Sequence, residues 1–321
     1  MNKTRILATA ALGIVAVLWC LTPARLEPSV ADVALPADLD AWLRETEQQA
    51  AARYGLVEGV EKRITWFDKT EATAYSVLYL HGFSATRQET APLAEIVAHR
   101  LGANLFETRL AGHGRQREQL ADVRAEDWLA DAAEALAIAS RLGERVIVIG
   151  TSTGATLAAA MLDHPGMSAV DTLVMVSPNF APKDTNAAWL TRPAGPLLAR
   201  LLVGDTRSWQ PHNALQARFW STSYPLAAPV EVMRLVDLAN RKLPAAIPQR
   251  LLMLYSNADE VISADAALAV FAQIEAPQKT AIAITDPGDP SHHVLAGDIL
   301  SAGKTQEIAV AIVDFIGRPV P

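Results

Sequence analysis

The sequence predicts an α/β protein: a mostly parallel central sheet with helices on both faces and an inserted helical cap. Short apolar runs take turns with helical patterns along most of the chain, and that order builds parallel sheets. Most of the strand-like runs are continuously apolar rather than alternating, as expected where helices cover both faces. The stretch between Pro178 and Pro248 breaks the rhythm, with several prolines, Trp189, Trp209, Phe219, Trp220 and Tyr224, and no clear strand.

Composition narrows the class further. Of 321 residues, 50% are hydrophobic and 20% charged, enough apolar content for a sizeable core and too little charge for a disordered chain. Lys and Arg number 28 against 35 Asp and Glu, a net charge of -7, so there is no global positive field to gather nucleic acid. The single cysteine, Cys20, can neither close an intrachain disulfide nor build a cysteine-rich zinc site.

In chain order, Lys3 and Arg5 precede an uncharged apolar run at 6–21, the arrangement of an export signal or membrane anchor at 1–24. Its 16 residues fall between a signal-peptide core of about 7–15 and a spanning helix of about 17–25. Retention places an inner-membrane-anchored main domain in the periplasm of a bacterium. Cleavage near Thr22-Pro23-Ala24 would release a soluble periplasmic or secreted form. Residues 25–55 form a lead-in segment, amphipathic over 36–54 with Gly55 as a stop. The main domain then runs from 56 to 321, with the cap at about 179–248. Strands are expected at 63–67, 76–80, 104–108, 145–149, 172–176, 251–255 and 281–285. Helices are expected at 91–101, 125–142, 155–162, 264–271 and 308–316.

The chemistry centres on Gly150-Thr151-Ser152-Thr153-Gly154, set between the apolar run RVIVI and the helix-forming ATLAAAML. A serine at a sharp strand-to-helix turn sits in a strained backbone, and side chains at the flanking glycine positions would collide. The turn lifts Oγ clear of the sheet beside a helix N-terminus, which favours a developing anion. With 17 glycines and 14 serines in 321 residues, this spacing arises by chance only about 0.04 times.

A serine hydroxyl needs an imidazole to take its proton and a carboxylate to orient that imidazole. Asp259 follows the run LLMLY, at the end of a strand where catalytic groups gather; Glu260 is its neighbour and competitor. Asp259 could instead cap the helix that begins near Ser263. The base lies in Asp286-Pro287-Gly288-Asp289-Pro290-Ser291-His292-His293. The residues alone leave His292 and His293 open, with Asp286 or Asp289 also able to orient a ring. Adjacent histidines seldom aim at one metal and no matching ligand cluster is visible, so no metal or other cofactor is expected. Oxyanion donors are expected from the backbone N–H of Thr153, after the nucleophile, and of Phe83 in His81-Gly82-Phe83-Ser84. His113, in a glycine turn, reads as structural.

HGFSA at 81–85, RLAGHGR at 109–115, EDWLAD at 126–131, GTSTGAT at 150–156, SNADEVI at 256–262 and HHVL at 292–295 together resemble serine hydrolases of the α/β-hydrolase fold. The resemblance is to the carboxylesterase and monoacylglycerol-lipase group and covers most of 70–318. It implies His293 as the base, because that group carries its histidine directly before a Val-Leu or Val-Ile pair. It likewise implies Asp259 as the acid, Phe83 as an oxyanion donor, and a cap over the acyl site. The expected activity is hydrolysis of a short- or medium-chain ester or a monoacylglycerol through an acyl-enzyme on Ser152. An acyltransferase or thioesterase on the same triad, or a non-catalytic binding protein of the same fold, is the alternative. The expected partners are a small ester or lipid and, through the N-terminal segment, a membrane.

Overall fold

The structure is a computed structural model that describes residues 22–27, 30, 33–243 and 246–319. Residues 1–21, with Lys3, Arg5 and Cys20, lie outside the described residues. Among those described, no helix is long and apolar enough to cross a membrane.

The lead-in segment forms α1 (Leu39–Tyr54), started by the Asp38 carboxylate accepting the Ala41 N–H and ended at Gly55, where φ is 64°. The main domain then follows as β1 (Arg63–Thr65), β2 (Thr73–Leu80), α2 (Leu93–Leu101), β3 (Asn104–Glu107), α3 (Ala125–Leu142), β4 (Gly143–Thr151), α4 (Thr153–Ala160) and β5 (Val170–Val176). After the cap come β8 (Arg250–Tyr255), α8 (Ala264–Gln273), β9 (Lys279–Ala283) and α9 (Ala302–Gly317). The seven strands are ordered β1-β3-β2-β4-β5-β8-β9. Only β1 is antiparallel to its neighbour.

Each central strand buries both faces, which explains its unbroken apolar sequence. Leu78, Val148, Leu173 and Met253 belong to the core shared with α1, α3, α4 and α8. Their chain neighbours Val77, Ile149, Val174 and Leu254 belong to a second core beneath α2 and α9. Successive side chains on a strand point to opposite faces, so two cores require two apolar sets.

The expected strands are all present, with shifted ends. β2 and β4 extend beyond 76–80 and 145–149, because pairing between them continues from Thr73↔Gly143 to Leu80↔Gly150. The first strand stops at Thr65, and the Phe67 N–H turns to the Asn104 side chain instead. The last strand lies earlier than 281–285, at Lys279–Ala283, set by its register with Leu251–Tyr255.

Between β5 and β8 the chain forms α5 (Gly195–Val203), β6 (Thr206–Ser208), α6 (Ala214–Phe219), β7 (Ser223–Pro225) and α7 (Ala227–Lys242). The insertion is mostly helical, as expected, and also holds two short strands not expected from the sequence: β6 and β7 pair as an antiparallel ribbon, with Arg207 opposite Tyr224. Strands of three mostly polar residues carry no readable alternation.

Trp128 of α3 links this packing to the loops above the sheet. Its ring is 1% exposed, its Nε1–H donates to the Ala111 carbonyl at 3.1 Å, and it lies 6.1 Å from the Phe83 ring. Trp128→Ala is expected to lower unfolding free energy by about 3–5 kcal/mol, measured by urea denaturation.

Candidate active site

Ser152 sits between β4 and α4 with φ 51° and ψ -115°, a backbone region that non-glycine residues rarely occupy. Surrounding bonds hold it there. Its N–H donates to the Val176 carbonyl at 2.8 Å, and its own carbonyl accepts from the N–H groups of Ala155, Thr156 and Asn179. The flanking glycines are steric necessities. A Cβ on Gly150 would lie 2.7 Å from the Ala155 nitrogen, and one on Gly154 would lie 2.1 Å from the Leu80 carbonyl oxygen. The second contact clamps the turn directly against the end of β2.

The loop at 81–84 leaves that end of β2, and two buried histidines shape it. His81 Nε2 accepts the Leu110 N–H at 3.0 Å, so its proton lies on Nδ1, which donates to the Gly82 carbonyl at 2.9 Å. His113 Nε2 accepts the Ser84 N–H at 3.1 Å while its Nδ1 faces the carbonyls of Leu110 and Ala111. Burial pulls the His81 ring down to about 4 and His113 well below its ordinary value, so both stay neutral near pH 7. The loop bearing Leu110 is itself tied to α1, where buried Glu47 grips Arg109 through two bonds of 2.8 Å. With Gly82 O committed to His81, the Phe83 N–H, on the opposite side of the same peptide, has no partner among the described residues. Neither does the Thr153 N–H.

The acidic and basic candidates meet after β8 and β9. His293 Nδ1 lies 2.8 Å from Asp259 Oδ2, and Asp259 Oδ1 accepts the N–H groups of Val261 and Ile262 at 2.8 Å each. Asp259 is therefore not the cap of α8; Ser263 fills that position. Glu260 makes no ring contact with either histidine and donates its N–H to the Ser291 carbonyl. Of the adjacent histidines, only His293 is bonded to Asp259. His292 takes φ 55°, and its buried Nδ1 has no partner among the described residues.

Asp289 orients the histidine through the backbone rather than through the ring. Its Oδ2 accepts the N–H groups of His293 at 3.0 Å and Val294 at 2.9 Å, and Ser177 Oγ donates to the His293 carbonyl at 2.8 Å. Asp286 is exposed and takes no part. Burial opposes charging of His293, but the bond to Asp259 and the charges of Asp259, Glu89 and Asp289 outweigh it, so the pKa of the ring lies above its ordinary value.

Ser152, Thr153, Phe83 and His293 line one cavity of about 580 Å³, a size suited to a small organic ligand. The cap supplies Arg207, Ser208, Trp209, His212, Gln216, Trp220, Tyr224 and Val232 to its wall. The cap aromatics thus divide: Trp209, Trp220 and Tyr224 face the cavity, whereas Trp189 is exposed on the surface. Ser152 Oγ has no hydrogen-bond partner among the described residues.

Glu89 also lines the cavity and has no counterpart in the sequence reading. Its carboxyl is 2% exposed, and its Oε2 accepts the Gly82 N–H at 2.8 Å and the Tyr79 hydroxyl at 3.2 Å. Burial pushes it up to about 7. Among the described residues, no group of three or more His, Cys, Asp or Glu could hold a metal ion.

The family of hydrolases described as serine aminopeptidase, S33, matches residues 71–286. The chain belongs to this family. Among solved structures it is similar to the metagenome-derived lipolytic enzymes LipS and LipT, at 18% identity and a TM-score of 0.66, covering 81% of this chain and 98% of that one. It is similar to a monoacylglycerol lipase from Paleococcus ferrophilus, at 16% identity and a TM-score of 0.57, covering 80% and 98%. It is also similar to a monoglyceride lipase from Saccharomyces cerevisiae, at 11% identity and a TM-score of 0.56, covering 91% and 99%. These likenesses establish the α/β-hydrolase fold. No curated protein sequence matches the chain.

Gly154→Ala is expected to force the 150–154 turn away from β2. Thermal or urea unfolding should show a loss of about 1–3 kcal/mol, the cost of overpacking where the neighbour is backbone.

Proposed function

We propose that this hydrolase cleaves carboxylic esters through an acyl-enzyme on Ser152, with a short- or medium-chain ester or a monoacylglycerol as substrate. The observation that carries the reading is the 2.8 Å contact of buried Asp259 with His293, which lines one cavity together with the strained Ser152. Asp259 holds the Nδ1 side of the ring, so Nε2 is the nitrogen available to Ser152. Ser152 Oγ attacks the ester carbonyl as His293 takes its proton, and Asp259 stabilises the imidazolium that forms. The N–H groups of Phe83 and Thr153 receive the oxyanion, a contribution of about 2.7–4 kcal/mol per donor in comparable sites. His293 then protonates the departing alcohol, and water repeats the sequence to release the acid.

The apolar wall of Trp209, Trp220, Tyr224 and Val232 favours an acyl or lipid chain. A second reading comes from the family's description: Glu89, Glu260 and Asp289 also line the cavity, and carboxylates there would suit the ammonium group of a peptide. We further propose that the enzyme is exported and held at the membrane by the apolar run at 6–21, a reading supported by the charge order of the N-terminus.

Assays of p-nitrophenyl esters across acyl lengths, beside amino-acyl amides, test the substrate class; turnover of the amides alone would overturn ester hydrolysis. Ser152→Ala and His293→Ala should each lose about ten-thousandfold in kcat, while His292→Ala retains activity. Loss in the His292 variant alone would overturn the assignment of the base.

The pH profile follows from the raised pKa of His293. The ring must be neutral to accept the serine proton, so kcat/KM should fall as pH drops through a midpoint above 6.5, the ordinary histidine value. Glu89→Gln keeps an acceptor for the Gly82 N–H but removes a charge that favours the protonated ring. Its acid limb should move to lower pH, read from kcat/KM profiles of the two proteins.

A further inference from the structure

One buried acid ties together three segments of the cavity wall. Glu89 ends the short helical turn Arg87–Glu89. The backbone here is pressed against the chain that leaves His293: a Cβ on Gly297 would lie 2.7 Å from the Glu89 carbonyl oxygen, and the Asp298 N–H donates to the Ala91 carbonyl at 2.9 Å. The side chain reaches the loop that follows β2, where Oε2 accepts the Gly82 N–H at 2.8 Å. Oε2 also accepts the Tyr79 hydroxyl at 3.2 Å, and the Tyr79 oxygen accepts in turn from the Thr151 hydroxyl at 3.3 Å. Thr151 immediately precedes Ser152, so a line of buried bonds runs from the Ser152 turn to the loop at 81–84.

Gly82 is matched to this acid. Its φ is not positive, so backbone conformation does not call for glycine; room for the carboxyl does, because a Cβ there would lie 2.7 Å from Glu89 Oε1 and 3.2 Å from Oε2. With its N–H on Glu89 and its carbonyl on His81 Nδ1 at 2.9 Å, Gly82 has both flanking peptides fixed, and the second of them carries the Phe83 N–H. Two buried side chains therefore set the direction of that N–H. Enclosing a carboxyl carries a desolvation penalty, seen in the rise of Glu89 to about 7, and an apolar side chain of similar size would fill the space without it.

We propose that Glu89 is a positioning residue of the reaction: its carboxyl turns the Phe83 N–H toward the developing oxyanion and keeps that donor in register with Ser152 and His293. The inference rests on the ester-hydrolase reading above, in which the Phe83 N–H receives the oxyanion. A misplaced donor weakens the transition state more than the bound substrate, so its loss lowers kcat and leaves KM near its value. The hydrogen bond to Gly82 carries this effect, whereas the charge of the carboxyl acts separately on His293.

The test compares the full chain with Glu89→Leu, Glu89→Gln and Tyr79→Phe on a water-soluble p-nitrophenyl ester, at a pH where His293 is neutral and its titration does not enter. Beside kcat and KM it measures inhibition by a trifluoromethyl ketone, which becomes an oxyanion when Ser152 adds to it. Glu89→Leu should lose about 10–100-fold in both kcat and ketone affinity, with KM held within about threefold. Glu89→Gln, which keeps the acceptor for Gly82, should recover both to within about threefold. Tyr79→Phe cuts the link to Thr151 and should lose about three- to tenfold in both. A merely structural role would lower the unfolding temperature without separating kcat from KM. A Glu89→Leu variant that retains kcat and ketone affinity overturns the proposal, as does a loss carried by KM or a Glu89→Gln loss as large as that of Glu89→Leu. Should Glu89→Leu fail to fold, Tyr79→Phe decides, and unchanged ketone affinity there overturns the proposal. An unaltered chain that neither hydrolyses the ester nor binds the ketone would instead defeat the ester-hydrolase reading itself.

Discussion

The architecture of this site depends on a close approach of two backbones. Gly154 lies so near the Leu80 and His81 carbonyls that no side chain fits between them. This contact joins the end of β4 to the end of β2, so the turn bearing Ser152 and the loop bearing Phe83 are positioned by one joint. The positive φ of Ser152 persists because the N–H and carbonyl of that residue are both bonded; strained conformations survive only where the surroundings over-determine them. Histidine, acid and cap are arranged around this joint from separate loops.

Electrostatically, the region is organised by neutral rings and buried acids. His81 and His113 each accept one backbone N–H and face one or more carbonyls, which serves a loop better than a cation would, since a charged imidazole could accept nothing. Protonation of either ring would break its loop bond, and burial opposes that protonation. Asp259, Glu89 and Asp289, by contrast, favour the charged form of His293. Three histidines within one neighbourhood are thus driven in opposite directions by what surrounds them.

Much of this was legible in the residues. The glycine-flanked serine, the strand before Asp259 and the continuous apolar runs are local patterns, and local patterns survive in a linear reading. That His293 rather than His292 meets Asp259 was not legible locally: Asp289 and Ser177 grip the His293 backbone from its own loop and from the end of β5. Glu89 escaped notice for the same reason. Nothing near it in the chain marks it as a cavity residue, and its contacts with Gly82 and Tyr79 exist only once β2 and the following turn have folded together. The ribbon of β6 and β7 was illegible because its strands are short, exposed and polar.

The family match spans 71–286, yet the cooperating groups overrun it at both ends. Glu47, upstream, anchors Arg109 and through that loop the ring of His81; Asp289 and His293 lie downstream. The network of contacts around Ser152 is accordingly wider than the matched span. A fragment trimmed to the matched borders would keep the turn bearing Ser152 but lose His293 and the Glu47 buttress behind the loop at 81–84. In this chain the flanks brace loops that the matched core alone would leave unsupported.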